Sequence, residues 1–237
     1  MCSLLSKDAN SAVKSDIRSF WGDLFKQLYA ENDEKVTQDL LAAQLDDLED
    51  LFVKRRHLAA VEMPLKELAG KKVLEIGSGG GGHSCLFRKY GADIVSVDLT
   101  PERVVSTATK LNLVSSGKGI AYQADAENLP FRDDSFDIVY SNGVLHHSED
   151  TDRCIEEVYR VLKPCGLAVI MLYAKHSANY WLGIVPRGVL KGEIFRGLAE
   201  PEWVGRVTEG NPVHGTTKNP ITRSYSRNTL VELFSAF

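Results

Sequence analysis

Val73-Leu74-Glu75-Ile76-Gly77-Ser78-Gly79-Gly80-Gly81-Gly82 is the stretch whose reading decides the fold, because it runs from a β-rich segment through glycines toward a helix. Glycine permits a sharp bend and lets a ligand approach the backbone, and a helix that follows presents free N–H groups at its start. Glycine-rich turns also arise for structural reasons alone, so the motif by itself is weak. Gly77, Gly79 and Gly82 even satisfy the Gly-x-Gly-x-x-Gly dinucleotide fingerprint.

Working outward, four more short β-rich runs follow: Ile94-Val95-Ser96-Val97, Ile120-Ala121-Tyr122, Phe136-Asp137-Ile138-Val139-Tyr140 and Leu167-Ala168-Val169-Ile170-Met171-Leu172-Tyr173. Helical segments separate them, which is the alternation of a parallel sheet covered on both faces. Thr100-Pro101 reads as an N-cap with proline at the first helical position. Ile155, Val158, Tyr159 and Leu162 form a stripe expected to be buried and to end at Pro164. Right-handed crossovers bring the strand C-termini to one edge, where such sheets bind ligands. The expected fold class is α/β, a mainly parallel twisted sheet with helices on both faces.

Residues 1–69 read as an N-terminal helical cap, with Leu41, Leu45, Leu48 and Phe52 at helical spacing. A second short helix is expected through Leu58 and Val61 toward Leu68, stopped by Gly70. Residues 70–175 form the expected ligand-binding core. Residues 176–222 lose the rhythm over about fifty positions, a length that suggests a lid or acceptor-site insertion. Trp181, Ile184, Val185, Val189 and Leu190 are expected to share one helical face there. Residues 223–237 carry Leu230, Leu233, Phe234 and Phe237 on a last core helix.

With 43% hydrophobic and 25% charged residues in 237, the composition is that of an ordinary globular domain. The net charge of −4 and the lack of a Lys/Arg stripe disfavour a nucleic acid partner. Lys54-Arg55-Arg56-His57 is the one basic cluster and reads as a solvated helix face. Cys2, Cys85, Cys154 and Cys165 have neither paired nor zinc-ligand spacing, which suits free thiols, no metal and a cytoplasmic setting. Charge interrupts the first residues, so no signal peptide is expected, and no apolar run is long enough for stable membrane insertion.

Three residues narrow the ligand. Asp98 ends the second strand, about twenty residues past the glycines, where an acid can accept both ribose hydroxyls of NAD or S-adenosylmethionine alike. Glu75 precedes the glycines, where a carboxylate disfavours a diphosphate and favours the ammonium and sulfonium of S-adenosylmethionine. Asp125 follows the third strand, where it can accept from an adenine amino group while the adjacent backbone N–H donates to a ring nitrogen.

Together, Val73–Gly81, Val97-Asp98-Leu99, Asp125-Ala126-Glu127-Asn128-Leu129-Pro130-Phe131, Ser135–Ser141, Val144-Leu145-His146-His147 and Arg160-Val161-Leu162-Lys163-Pro164-Cys165-Gly166 resemble the ordered motifs of class I S-adenosylmethionine-dependent methyltransferases. The likeness is greatest to the subgroup with ubiquinone- and menaquinone-biosynthesis and other small-molecule enzymes, and is strong over residues 71–175. It implies a Rossmann-like fold, S-adenosyl-L-methionine as cofactor with S-adenosyl-L-homocysteine as product, and a small-molecule acceptor. It also implies that Glu75, Gly77, Ser78, Gly79 and Gly81 hold the methionine end. Asp98 then holds the ribose, Leu99 packs on adenine, Asp125 and the Ala126 backbone read the adenine edge, and Asn142 faces the methionine moiety. Two departures stand out. Cys165 replaces a glycine usual before the fifth strand, and the family's final two strands are absent, so the chain is expected to be truncated after its last helix.

His146 and His147 are the candidate catalytic residues, since histidine titrates in the range a general base needs. The competing assignment has one packing structurally and the other touching the cofactor or capping a turn. His83 reads as a helix-start residue, His176 and Tyr180 as candidates for the acceptor pocket, and Trp181 and Trp203 as packing residues. The rivals to methyl transfer are a non-catalytic methyltransferase-like module, an NAD-dependent oxidoreductase, and methylation of RNA or protein. Neither the acceptor, nor its target atom, nor the oligomeric state is legible.

Overall fold

The computed structural model describes residues 5–28, 31, 33, 35–54, 63–209 and 218–237. Two helices, α1 (Leu5–Leu28) and α2 (Gln38–Lys54), precede the sheet. Leu41 and Leu45 of α2 are buried, as their spacing suggests. Leu58, Val61 and the Arg55-Arg56-His57 part of the basic cluster lie outside the described residues, as does the Phe52 side chain.

The central strand β1 (Lys72–Ile76) pairs with β2 (Asp93–Asp98) on one side and β4 (Phe136–Asn142) on the other. With β3 (Lys118–Gln123) and β5 (Leu162–Met171) at the edges, the order is β3-β2-β1-β4-β5, all parallel. Successive side chains of β1 enter opposite layers. Val73 joins Ile94, Tyr140, Leu86 and Phe87 in one core cluster, while Leu74 and Ile76 join Val139, Ile155 and Val158 in the other. Both faces are apolar because α3 (Gly82–Lys89) and α5 (Thr151–Val161) cover them, so the strands read as nearly continuous apolar runs. The chain runs outward from β1 through β2 to β3 and then crosses back to β4 on the other side of β1, and the crevice this reversal leaves at the strand C-termini is where the site lies.

Three details depart from the sequence reading. The last core strand starts at Leu162, directly after α5, rather than beyond Gly166. Pro164-Cys165-Gly166 is absorbed as an irregularity, with a register shift opposite Phe136 and Ile138 and with Cys165 at φ 62. That left-handed backbone is where glycine is favoured, so the cysteine carries a cost of about 1 kcal/mol. Thr100 stands at the N-cap of α4 (Pro101–Leu111), yet its hydroxyl goes to Asp98 and not to the helix.

In the insertion, a π-helical turn over Tyr180–Ile184 leads into α6 (Val185–Leu190), followed by α7 (Glu200–Thr208). The buried face consists of Tyr180, Ile184 and Gly188 against Trp203, Val204 and Val207. Trp181 and Leu190 are instead 54% and 85% exposed, so of the expected stripe only Ile184 and Val185 pack inward. A period of 3.6 cannot be carried across a π turn without a phase change. The last helix, α8 (Arg227–Leu233), lays Leu233 and Phe234 against the second core cluster, and Phe237 stacks on Tyr159. Among the described residues no helix is long and apolar enough to cross a membrane, and no His/Cys/Asp/Glu group could hold a metal.

Candidate active site

The glycine turn is built around contacts that admit no side chain. A Cβ on Gly77 (φ +81) would collide with Val144, and one on Gly81 (φ +79) would lie 2.9 Å from Thr107 Cα. Gly77 N–H donates to the Val97 carbonyl at 2.7 Å, which ties the turn to the end of β2. The Ser78 hydroxyl accepts from Thr107 Oγ1 at 3.0 Å and is turned to α4.

Glu75 lies on the α3 side of β1, the face alternate to Leu74 and Ile76. It is 2% exposed, accepts from the Ser84 hydroxyl, and does not line the pocket. Burial pushes its carboxyl up to about 8, against the Ser84 hydrogen bond, with the Asp98 charge adding to the rise. The sequence reading took Glu75 as a bare negative charge; in this fold burial favours its neutral form.

The pocket at the strand C-termini is lined by Gly77, Asp98, Leu99, Asp125, Ala126 and His147 among the expected residues, with Val97, Ala124, Val144 and Leu145 between them. Ser78, Gly79, Gly81 and Asn142 are close in sequence but do not form its wall; Asn142 is half-buried at the end of β4. Asp98 is buried and already accepts three bonds. Oδ1 takes Thr100 N–H at 2.9 Å and its hydroxyl at 2.8 Å, and Oδ2 takes Gly79 N–H at 3.1 Å. A carboxylate offers about four lone-pair positions, so Oδ2 has room for one further hydroxyl, not two.

Helix α1 supplies what the sequence reading missed. Lys14, Ile17 and Trp21 line the pocket, and their spacing of three and four was the available signal. Lys14 Nζ bridges Asp125 Oδ2 at 2.7 Å and Glu127 Oε2 at 2.6 Å. Burial opposes its charge, but the two carboxylates prevail and hold its pKa above the ordinary lysine value. The expected adenine-reading acid therefore shares one oxygen with the helix that covers the site.

The two histidines have separate environments. His146 is fully buried, its ring 4.1 Å from those of both His147 and Tyr173, and neither ring nitrogen has a hydrogen-bond partner among the described residues. Burial, then the neighbouring His147, depresses its pKa well below the usual value. His147 lines the pocket, packs 4.9 Å from the Trp21 ring, and has a buried Nε2 with no partner. Its Nδ1 lies 3.1 Å from the Ile221 carbonyl, 3.0 Å from Asn219 Nδ2 and 3.1 Å from Thr222 Oγ1. The carbonyl can only accept, whereas the Asn219 amide has Thr222 Oγ1 at 3.1 Å as an alternative acceptor. The Nδ1–H tautomer thus satisfies both groups and leaves a lone pair on Nε2. Burial lowers this histidine to about 4, with the Ile221 bond opposing and the Arg103 charge reinforcing the shift.

Arg103 completes the wall, its guanidinium 5.2 Å from the Trp21 ring centroid and 5.9 Å from that of Phe25. His83 sits at the start of α3 within 3.3 Å of the Tyr140 hydroxyl, outside the pocket lining. His176 is exposed, and Tyr180 is buried with its hydroxyl on Glu200 at 2.7 Å, so neither reaches the pocket.

These walls fit an adenosine-bearing sulfonium. A buried acid with one free acceptor position ends β2, Leu99 and Ala126 offer apolar contact, and the cradle above Gly77 excludes a side chain. Asp98→Ala is expected to weaken S-adenosylhomocysteine at least tenfold, about 1.4 kcal/mol, by calorimetry. Unchanged affinity would remove the ribose assignment.

Known proteins show the same pattern. The methyltransferase domain family matches residues 74–170. Ubiquinone biosynthesis O-methyltransferase of Pseudomonas entomophila is 31% identical over 185 residues, which span 70% of this chain and 76% of that one. The crystal structure of YcgJ from Bacillus subtilis aligns with TM-score 0.50 and 25% identity over 82% of this chain and 67% of its own. A SAM-dependent methyltransferase from Methanosarcina mazei aligns with TM-score 0.54 and 23% identity over 70% and 78%.

Proposed function

The chain belongs to the class I S-adenosylmethionine-dependent methyltransferases, and from that premise we propose that it methylates a hydroxyl oxygen of a small molecule, with His147 as general base. The observation that carries this reading is a pocket-lining histidine, His147, whose Nδ1 is held by the Ile221 carbonyl and whose buried Nε2 has no partner among the described residues. The P. entomophila relative is named for O-methylation in ubiquinone biosynthesis, which supports a hydroxylated acceptor. The net charge of −4 supports a small acceptor over nucleic acid, and the unpaired cysteines support a cytoplasmic enzyme.

When bound, S-adenosylmethionine supplies a methyl group already activated on a sulfonium. The chain's own task is then alignment and removal of one proton. Asp98, Leu99 and Ala126 would hold the adenosine, and Gly77 would let the ligand close on the backbone. His147 Nε2 would take the hydroxyl proton, leaving an oxygen lone pair to receive the methyl group that the cofactor would supply, and the imidazolium would carry the positive charge that the donor gives up. Alignment supplies most of the barrier lowering, up to roughly 7–11 kcal/mol.

The depressed His147 value makes the base form available throughout the neutral range. With a panel of phenols, enols and amines and labelled methyl donor, transfer is expected to hydroxyl acceptors. The acid limb of kcat/KM is expected below about pH 5 and not near the ordinary histidine value of about 6.5. Transfer to amines or carbon alone, or an acid limb near 6.5, would reject the assignment.

A further inference from the structure

We propose that Arg103 binds a carboxylate carried by the methyl acceptor, which makes the natural acceptor an anionic hydroxylated molecule. This rests on His147 being the hydroxyl-facing base of the same pocket.

Three neighbouring lysines are committed. Lys14 holds Asp125 and Glu127, Lys26 holds Glu102, and Lys110 holds Asp33. Arg103 has no ion pair or hydrogen bond among the described residues, and its Nε is buried without a partner. Its contact with the Trp21 and Phe25 rings takes water from the guanidinium but gives its N–H groups no acceptor. A carboxylate received edge-on would satisfy two donors at once.

The position points to the acceptor. Trp21 contacts both groups, 5.2 Å from Arg103 Cζ and 4.9 Å from the His147 ring centroid, so they are at most about twice that spacing apart. One aromatic ring bearing a carboxylate and a hydroxyl covers such a span. The α-carboxylate of the cofactor presents the same chemistry, and the Arg103 guanidinium also approaches Gly79, with Nη1 3.5 Å from where a Cβ would stand. The test must therefore separate the two sources.

Arg103→Met keeps the apolar stem and removes the charge, and Arg103→Lys keeps the charge without the fork. Calorimetry would compare S-adenosylhomocysteine with 5′-methylthioadenosine, which has no carboxylate. On protein saturated with the former, 3- and 4-hydroxybenzoate would be compared with phenol and 4-hydroxybenzamide. Wild type is expected to prefer the hydroxybenzoates by about tenfold or more, with Arg103→Met abolishing that preference and Arg103→Lys restoring part of it. Both variants are expected to keep S-adenosylhomocysteine affinity within about twofold, which also shows that they are folded. Wild type without anion preference would overturn the proposal. So would an Arg103→Met variant that loses S-adenosylhomocysteine but not methylthioadenosine, which would give Arg103 to the cofactor. An Arg103-dependent anion preference without any hydroxyl methylation would instead reject the oxygen-methylation reading and leave the carboxylate site standing.

Discussion

His147→Asn is expected to lower kcat by about 10²–10⁴-fold while S-adenosylhomocysteine affinity stays within about twofold. Asparagine is the informative replacement because its Nδ2 can take over the Nδ1 bond to the Ile221 carbonyl, now 3.1 Å, so the 219–222 segment keeps its anchor. What disappears is the lone pair on Nε2, a buried atom without a partner among the described residues, in a side chain that lines the pocket. Alanine would also open a cavity beneath Trp21 and confound chemistry with packing. The adjacent His146→Phe is the control. That ring is stacked between His147 and Tyr173 with two unsatisfied nitrogens, so a phenyl ring fills the same space and removes the polar burden. Stability is expected to rise by about 1 kcal/mol, with kcat nearly unchanged. Equal losses of kcat in both variants would deny His147 its separate role.

The contrast between these neighbours marks how far the sequence could be read. The glycine turn, the five strands and Asp98 were legible because each follows from local chemistry: positive φ at Gly77, apolar periodicity in two layers, an acid at a strand end. Which histidine faces the pocket was not, because it depends on Ile221, Asn219 and Thr222, more than seventy residues downstream. Trp21, Lys14 and Arg103 were overlooked for the same reason, since a helix face shows amphipathicity but not its partner. Pro164-Cys165-Gly166 misled in the other direction. Turn residues there mark a bulge inside an edge strand, where the backbone need not stop pairing. The burial of Glu75 was not legible from the glycine motif, because strand alternation places it beneath α3.

Glu75→Gln is expected to have opposite effects on the free protein and on cofactor binding. In the folded chain the carboxyl is raised to about 8, whereas unfolded it titrates in the ordinary range near 4.5. Between those values the native state holds a proton that the unfolded chain has lost, so stability falls as pH rises through the window. Three histidines, His83, His146 and His147, act in the reverse sense. Burial depresses them, His147 to about 4, so below about pH 6.5 the unfolded chain gains protons that the native state refuses. Each contributes a decline of about 1.4 kcal/mol per pH unit on the acid side. Stability of the free wild-type protein is therefore expected to peak near pH 6–7 and to fall on both sides. Glutamine removes the Glu75 contribution across the whole window from about 4.5 to about 8, so the variant is expected to match wild type at about pH 4 and to be more stable by about 4–5 kcal/mol above pH 8. Binding must show the converse. A sulfonium above Gly77 stabilises the ionised carboxylate, which glutamine cannot provide. The variant should therefore lose more affinity for S-adenosylmethionine than for S-adenosylhomocysteine, whose sulfur is neutral. At pH 7, wild-type binding of the sulfonium should release a proton, seen as a calorimetric heat that depends on the ionisation enthalpy of the buffer. Urea midpoints that follow the same pH curve in both proteins, together with equal losses for the two ligands, would mean that Glu75 is ionised throughout and that burial does not govern its charge.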